Sequence, residues 1–218
     1  TPIYLCIVDS DTVISNPNLT KNQIQEKNQE SKPYEKPNLR EKPNPKEKPK
    51  IRLSFSEIFS MPDPKWIIKG VIPEGSFGVF FGTPGCGKSF IAIDIALSLA
   101  TGKTSWANKQ IEKSGPVILV TSEGVSSLKH RLKAWTNNKG AMPDNDGFSL
   151  IHHPLNFMNA QDVSLLVEQV EEVAAASSAP VLIVVDTLSR VIPGADENKQ
   201  DAMSLLVAAC NAVQARTN

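Results

Sequence analysis

The residues best suited to chemistry are Gly82, Thr83, Pro84, Gly85, Cys86, Gly87, Lys88 and Ser89, which match G-x-x-x-x-G-K-[ST] in full. An apolar run precedes them and a long apolar segment follows, so the motif reads as strand, loop and helix. Glycines let the backbone wrap closely around a phosphate, and the N–H groups of the loop and of the helix N-terminus face the negative charge. In that frame Lys88 is expected to reach the β- and γ-phosphates of a nucleoside triphosphate. Ser89 is expected to ligate Mg²⁺, and Phe90 follows directly as part of the binding set. The expected ligand is Mg-ATP rather than the guanine nucleotide, because Asn138 and Lys139 are followed by Gly140 and Ala141 and form no guanine-reading Asn-Lys-x-Asp.

Two carboxylates complete the candidate site. Asp186 follows the apolar run Val181 to Val185 and is expected at the C-terminal edge of a strand, where ligands bind in open α/β sheets. It would hold Mg²⁺ through water; the alternative is a helix N-cap. Thr187 comes next, not Glu, which disfavours families that place the catalytic carboxylate directly after this Asp, the AAA+ and ABC classes among them. Glu123, at the end of Val120-Thr121-Ser122-Glu123, is then the candidate to orient and polarise an attacking water, or else a cap for the following helix.

These residues need a scaffold, and the pattern supplies one. Phe77 to Phe81, Pro116 to Val120, Phe148 to Ile151 and Val181 to Val185 read as strands. Helical segments alternate with them: Ser89 to Ala100, one through Leu128, Leu132 and Trp135, then Val163 to Ala175 and Ala202 to Ala215. Such alternation predicts an α/β fold with a parallel sheet flanked by helices. Residues 56–59 are expected to start a short helix, leading through Pro62 and Pro64 to Trp66-Ile67-Ile68.

Ahead of this core the composition changes. Tyr4 to Val8 reads as a short buried strand, running into Asp9 and Asp11. From 16 to 50 the chain is Asn, Gln, Lys, Glu and Pro, with Glu-Lys-Pro at 35–37, 41–43 and 47–49. Proline density and alternating charge predict an extended, disordered linker. The expected division is a stub over 1–15, the possible end of a preceding domain, a linker over 16–50 and the core over 51–218. Net charge is zero, so no global field points to nucleic acid or a membrane, although a local basic surface would not show in the total. No apolar run reaches membrane-spanning length. Three cysteines far apart form neither a disulfide framework nor a metal pair, which fits a cytoplasmic location.

Taken together, the phosphate loop, a Glu at the end of the next strand and an Asp without a following Glu resemble the RecA-like P-loop ATPases. Trp66-Ile67-Ile68-Lys69-Gly70-Val71-Ile72-Pro73, Ser122-Glu123-Gly124 with Arg131-Leu132-Lys133-Ala134-Trp135, and Asp186-Thr187-Leu188-Ser189-Arg190 are similar to the RepA-like branch of plasmid and phage hexameric replicative helicases. The resemblance covers about 55–218. It implies a homo-hexameric ring with ATP sites between subunits, an arginine finger from the neighbour, single-stranded DNA as partner, and a later strand ending in a γ-phosphate sensor. That strand would begin where this sequence stops, so the core reads as C-terminally incomplete. The Asp9 and Asp11 pair is similar to the metal-binding end of a Toprim primase domain, with an ordinary strand and turn as the default.

Other residues carry less. His152 and His153 lack a ligand partner at metal spacing. Trp66 is either an adenine neighbour or an anchor, Cys86 a redox switch or a small loop residue, and Arg131 and Arg190 contacts to phosphate or to a neighbouring subunit, or else exposed helix cations. Asp196-Glu197-Asn198 lies in a polar loop. Two rival functions remain open at this point: an ATP-dependent switch or scaffold, and a small-molecule kinase, disfavoured because no Arg-rich lid follows the loop.

Overall fold

The computed structural model describes residues 3–9, 52–122, 124–144, 146–193 and 200–216. The linker expected over 16–50, Asp11 and the Asp196-Glu197-Asn198 loop therefore lie outside the described residues. Backbone contacts divide the chain into two units, Ile14–Asp63 and a larger one made of Thr1–Val13 with Pro64–Asn218.

The larger unit begins with β1 (Ile3–Asp9). The smaller one holds α1 (Phe55–Phe59), one residue longer at its start than the expected 56–59. Ser54 caps α1 and Glu57 reaches back to the Ser54 N–H at 2.8 Å, a capping box that explains why so short a helix starts there. From Pro64 on, β2 (Trp66–Ile68) and β3 (Ile72–Pro73) form an antiparallel pair that sequence patterning did not separate. Glu74, just beyond, accepts a hydrogen bond from Lys113, which holds its carboxyl below the usual range. The core then runs β4 (Phe77–Gly82), α2 (Lys88–Ala100), the hairpin of β5 (Ser105–Trp106) and β6 (Lys109–Gln110), and β7 (Val117–Thr121). It continues with α3 (Val125–Lys139), β8 (Phe148–Ile151), α4 (Ala160–Ala176), β9 (Leu182–Asp186), α5 (Leu188–Val191) and α6 (Gln200–Arg216).

Five strands form one parallel sheet in the order β4-β1-β9-β7-β8. The N-terminal segment expected as a stub is thus a strand hydrogen-bonded on both sides, with Asp9 opposite Gly82 and Ile7 opposite Asp186. The expected α/β architecture is what forms, with helices on both faces.

Strands β7 and β9 are buried at every position, and their side chains alternate between two cores. Val117, Leu119, Leu182 and Val184 pack with Ile93, Leu97, Leu128 and Trp135 of α2 and α3. Ile118, Val120, Ile183 and Val185 pack with Leu166, Val170, Val191 and Val213 of α4, α5 and α6. A parallel strand covered on both faces cannot show polar alternation, so the unbroken apolar runs in the sequence are the expected signature. Truncating Ile183, fully buried at the sheet centre, to Ala should cost about 2–5 kcal/mol of stability. The same change at Met142, 81% exposed, should stay within about 0.5 kcal/mol. Urea denaturation of the two variants measures both.

Candidate functional site

The loop between β4 and α2 is built by its glycines. Gly87 is the N-cap of α2 with φ of +96°, a left-handed backbone, and no side chain caps the helix. A Cβ placed on Gly85 or Gly87 would meet nothing within 4 Å, so both glycines border open space. At Gly82 the need is different: a Cβ there would lie 2.9 Å from the Cys86 sulfur.

Lys88 is 8% exposed. Its Nζ donates to the carbonyl oxygens of Gly82 at 2.8 Å and Thr83 at 2.9 Å, with the Cys86 sulfur at 3.8 Å. A buried ammonium must be hydrogen-bonded, and here the loop itself supplies the oxygens. A cavity of about 260 Å³ opens against it, lined by Pro84, Gly85, Gly87, Lys88, Ser89, Phe90, Arg131 and Thr187. The concave backbone, the ammonium and the start of a 13-residue helix together suit a polyanion.

Asp186 is 5% exposed and ends β9, opposite Thr121 of β7. It lines a narrow recess next to Thr121, Ser122, His153 and Arg190. The N-cap of α5 is Thr187, one residue past Asp186, and its side chain makes no capping hydrogen bond. Thr187 itself, buried and linked to Ser189 by a 3.2 Å hydroxyl contact, is the residue that carries the β9 edge to the phosphate-side cavity. The Asp186–Thr187 peptide is cis. Glu123 lies outside the described residues, between Ser122 in the recess and Gly124, the N-cap of α3.

Lys88, Ser89 and Phe90 are therefore brought together, along with Arg131, for which a phosphate contact was one of the readings, and Thr187, which the sequence did not assign to the site. A further group was missed altogether. Asp94, in the middle of the apolar helix α2, accepts the indole N–H of Trp106 at 2.8 Å and of Trp135 at 2.7 Å. The only signal was a carboxylate inside an otherwise apolar helix. His152 sits at the end of β8, its Nδ1 3.2 Å from the Thr121 carbonyl oxygen, and no cluster of metal-ligating side chains forms among the described residues. No described helix is long and apolar enough to cross a membrane.

A parallel sheet whose strand edge carries a glycine loop, a buried lysine and a helix start defines a P-loop nucleotide-binding domain. A family model described as an AAA domain matches residues 44–218, which is most of the chain. The chain belongs to that family and is a P-loop ATPase domain. No curated protein matches it.

Because Gly87 is held at φ +96°, a Gly87→Ala variant should lose about 1–2 kcal/mol, even though its methyl has room. Chemical denaturation gives that cost, and the rise in melting temperature on adding ATP should shrink with it.

Proposed function

We propose that this is the RecA-like motor domain of a replicative DNA helicase from a plasmid, phage or other mobile element, acting in the cytoplasm as a homo-hexamer on single-stranded DNA. The observation that carries it is the cavity that joins Lys88 and Ser89 of the phosphate loop to Thr187 at the end of β9. The domain would comprise β1 together with residues 64–218, which share one unit, with the linker of 16–50 between them in the chain.

In this reading the Lys88 ammonium exchanges the Gly82 and Thr83 carbonyls for β- and γ-phosphate oxygens of ATP. The loop from Gly82 through Phe90 supplies backbone N–H groups to the same phosphates. Ser89 and Asp186 offer a hydroxyl and a carboxylate, hard oxygen donors suited to Mg²⁺, which when bound neutralises charge between the β- and γ-phosphates. Glu123 orients the water and takes its proton. An arginine from the neighbouring subunit completes the site across the ring interface.

Steady-state phosphate release by the full-length protein, with and without single-stranded DNA, tests this. Stimulation of about tenfold, roughly 1.4 kcal/mol off the barrier, is expected, and Lys88→Ala and Glu123→Gln should each abolish it. Turnover indifferent to DNA would replace the motor with an ATP-dependent switch. A Glu123→Gln variant of normal rate would remove Glu123 from the mechanism.

A further inference from the structure

Helices α3 and α4 lie on opposite faces of the sheet, and each carries charge of one sign. Leu128 and Trp135 root α3 in one core, and Leu166, Val167 and Val170 root α4 in the other. Between Val125 and Lys139, α3 holds Lys129, Arg131, Lys133 and Lys139 and no Asp or Glu. Between Ala160 and Ala176, α4 holds Asp162, Glu168, Glu171 and Glu172 and no Lys or Arg. The chain as a whole has zero net charge, so charge is segregated here without being in excess. A helix face that meets only water gains from opposite charges four residues apart and loses from like ones. Lys129 and Lys133 are four apart, as are Glu168 and Glu172, and all four are exposed. Among the described residues none of these four forms an ion pair.

The two stripes match in spacing. A helix that links neighbouring strands of a parallel sheet returns antiparallel to them, so α3 and α4 run in the same direction. Down α3 the outer positions read Val125, Lys129 and Lys133; down α4 they read Leu165, Glu168 and Glu172. Each stripe begins with an exposed apolar side chain, Val125 at 46% and Leu165 at 36%. Two like charges follow, about 6 Å apart along the axis. Glu172 also lines a groove of about 390 Å³ between α4 and β8, the last strand of the sheet. Leu150 and Ile151 of β8 and Val173 and Ala176 of α4 give that groove an apolar lining, and Asp146 adds a second carboxylate.

We propose that α3 of one copy of this chain packs on α4 of a second copy, with Lys129 and Lys133 opposite Glu168 and Glu172 beside the β8 groove. The proposal rests on the homo-oligomeric reading above and adds which surfaces meet. The occupant is a second copy because the acidic face calls for cations at helical spacing, and α3 presents them. Held in the other core, α3 cannot pack on the α4 of its own chain. The contact is therefore head-to-tail, leaving an unused α3 at one end of a pair and an unused α4 at the other. Such an interface repeats into a ring or a filament and does not stop at a dimer. Nucleic acid would answer the cations of α3 but not the anions of α4, so it explains half of the pattern. The charges set register and association rate, while Val125, Leu165 and the groove lining supply apolar burial.

Analytical ultracentrifugation of the full chain with Mg-ATP, across a salt series and with charge reversal, tests this. Wild type should assemble at about 0.05 M salt and dissociate progressively toward about 0.5 M. Lys129→Glu with Lys133→Glu, and separately Glu168→Lys with Glu172→Lys, should each weaken association at least about thirtyfold. An equimolar mixture of the two double variants should assemble again, because every face then meets one of opposite sign. That rescue requires both variants to be folded. Wild-type association unmoved by salt would overturn the interface without any variant. Reversed proteins that assemble as wild type does, or a mixture that stays dissociated, would overturn it while leaving the motor reading standing. Single-stranded DNA binding lost on reversing α3, with assembly intact, would make α3 a nucleic-acid surface instead. A wild-type chain that stays monomeric at low salt would overturn the interface and the homo-oligomeric reading together.

Discussion

Everything at the site depends on one constraint: strands β4, β1, β9, β7 and β8 all run in the same direction. A parallel ladder puts the C-terminal end of every strand on one edge, and the register makes that edge sharp. Gly82 is opposite Asp9, and Asp186 is opposite Thr121. Residues more than a hundred positions apart in the chain thereby end within one strip, with no side-chain interaction needed to gather them. The ladder can hold this alignment because both faces of β7 and β9 are closed by helices, leaving apolar side chains no alternative register that keeps them dry.

At that edge the protein must keep a cation out of water before any anion arrives. Lys88 resolves this by turning onto the carbonyl oxygens of its own loop. Those bonds are charge-assisted and so among the stronger ones available, but they are made to groups that a phosphate oxygen can replace. The loop can therefore be ordered and still receptive. Its glycines matter in the same sense: Gly82 permits the close packing of Cys86, and Gly87 takes the left-handed turn that lets α2 begin directly beneath the cavity.

Much of this was legible in the sequence because it is local. The eight-residue loop and the apolar runs ending at Val120 and Val185 point to a phosphate site and a parallel sheet from the sequence alone. Boundaries moved by a residue or so in the strands and by up to three in the helices, as with α4, which starts at Ala160 rather than Val163 because Asn159 caps it by accepting from the Gln161 N–H. What escaped was non-local. Asp94 looked like an interruption in an apolar helix; its meaning depends on Trp106 and Trp135, 12 and 41 residues away. Arg131 stayed open between a phosphate or subunit contact and an exposed helix cation, because nothing in its own segment places Phe90 beside it. Thr187 was noticed for not being a glutamate, whereas its position is set by β9 ending at the cavity wall. Short hairpins such as β5 and β6, two residues per strand, leave no periodicity to read.

The same distinction bears on how strongly each part of the site can act. A surface arginine on a helix contributes little as a charge, because water screens it and its long side chain loses entropy when fixed. Arg131 differs from that case in being held: it lies against Phe90, and α3 is braced against α2 through Asp94 and Trp135. Part of the ordering cost is then met by folding rather than by ligand binding. The loop supplies an ammonium and a helix start that suit a polyanion, and the first turn of α2 lines both that cavity and the groove against α3 through Phe90.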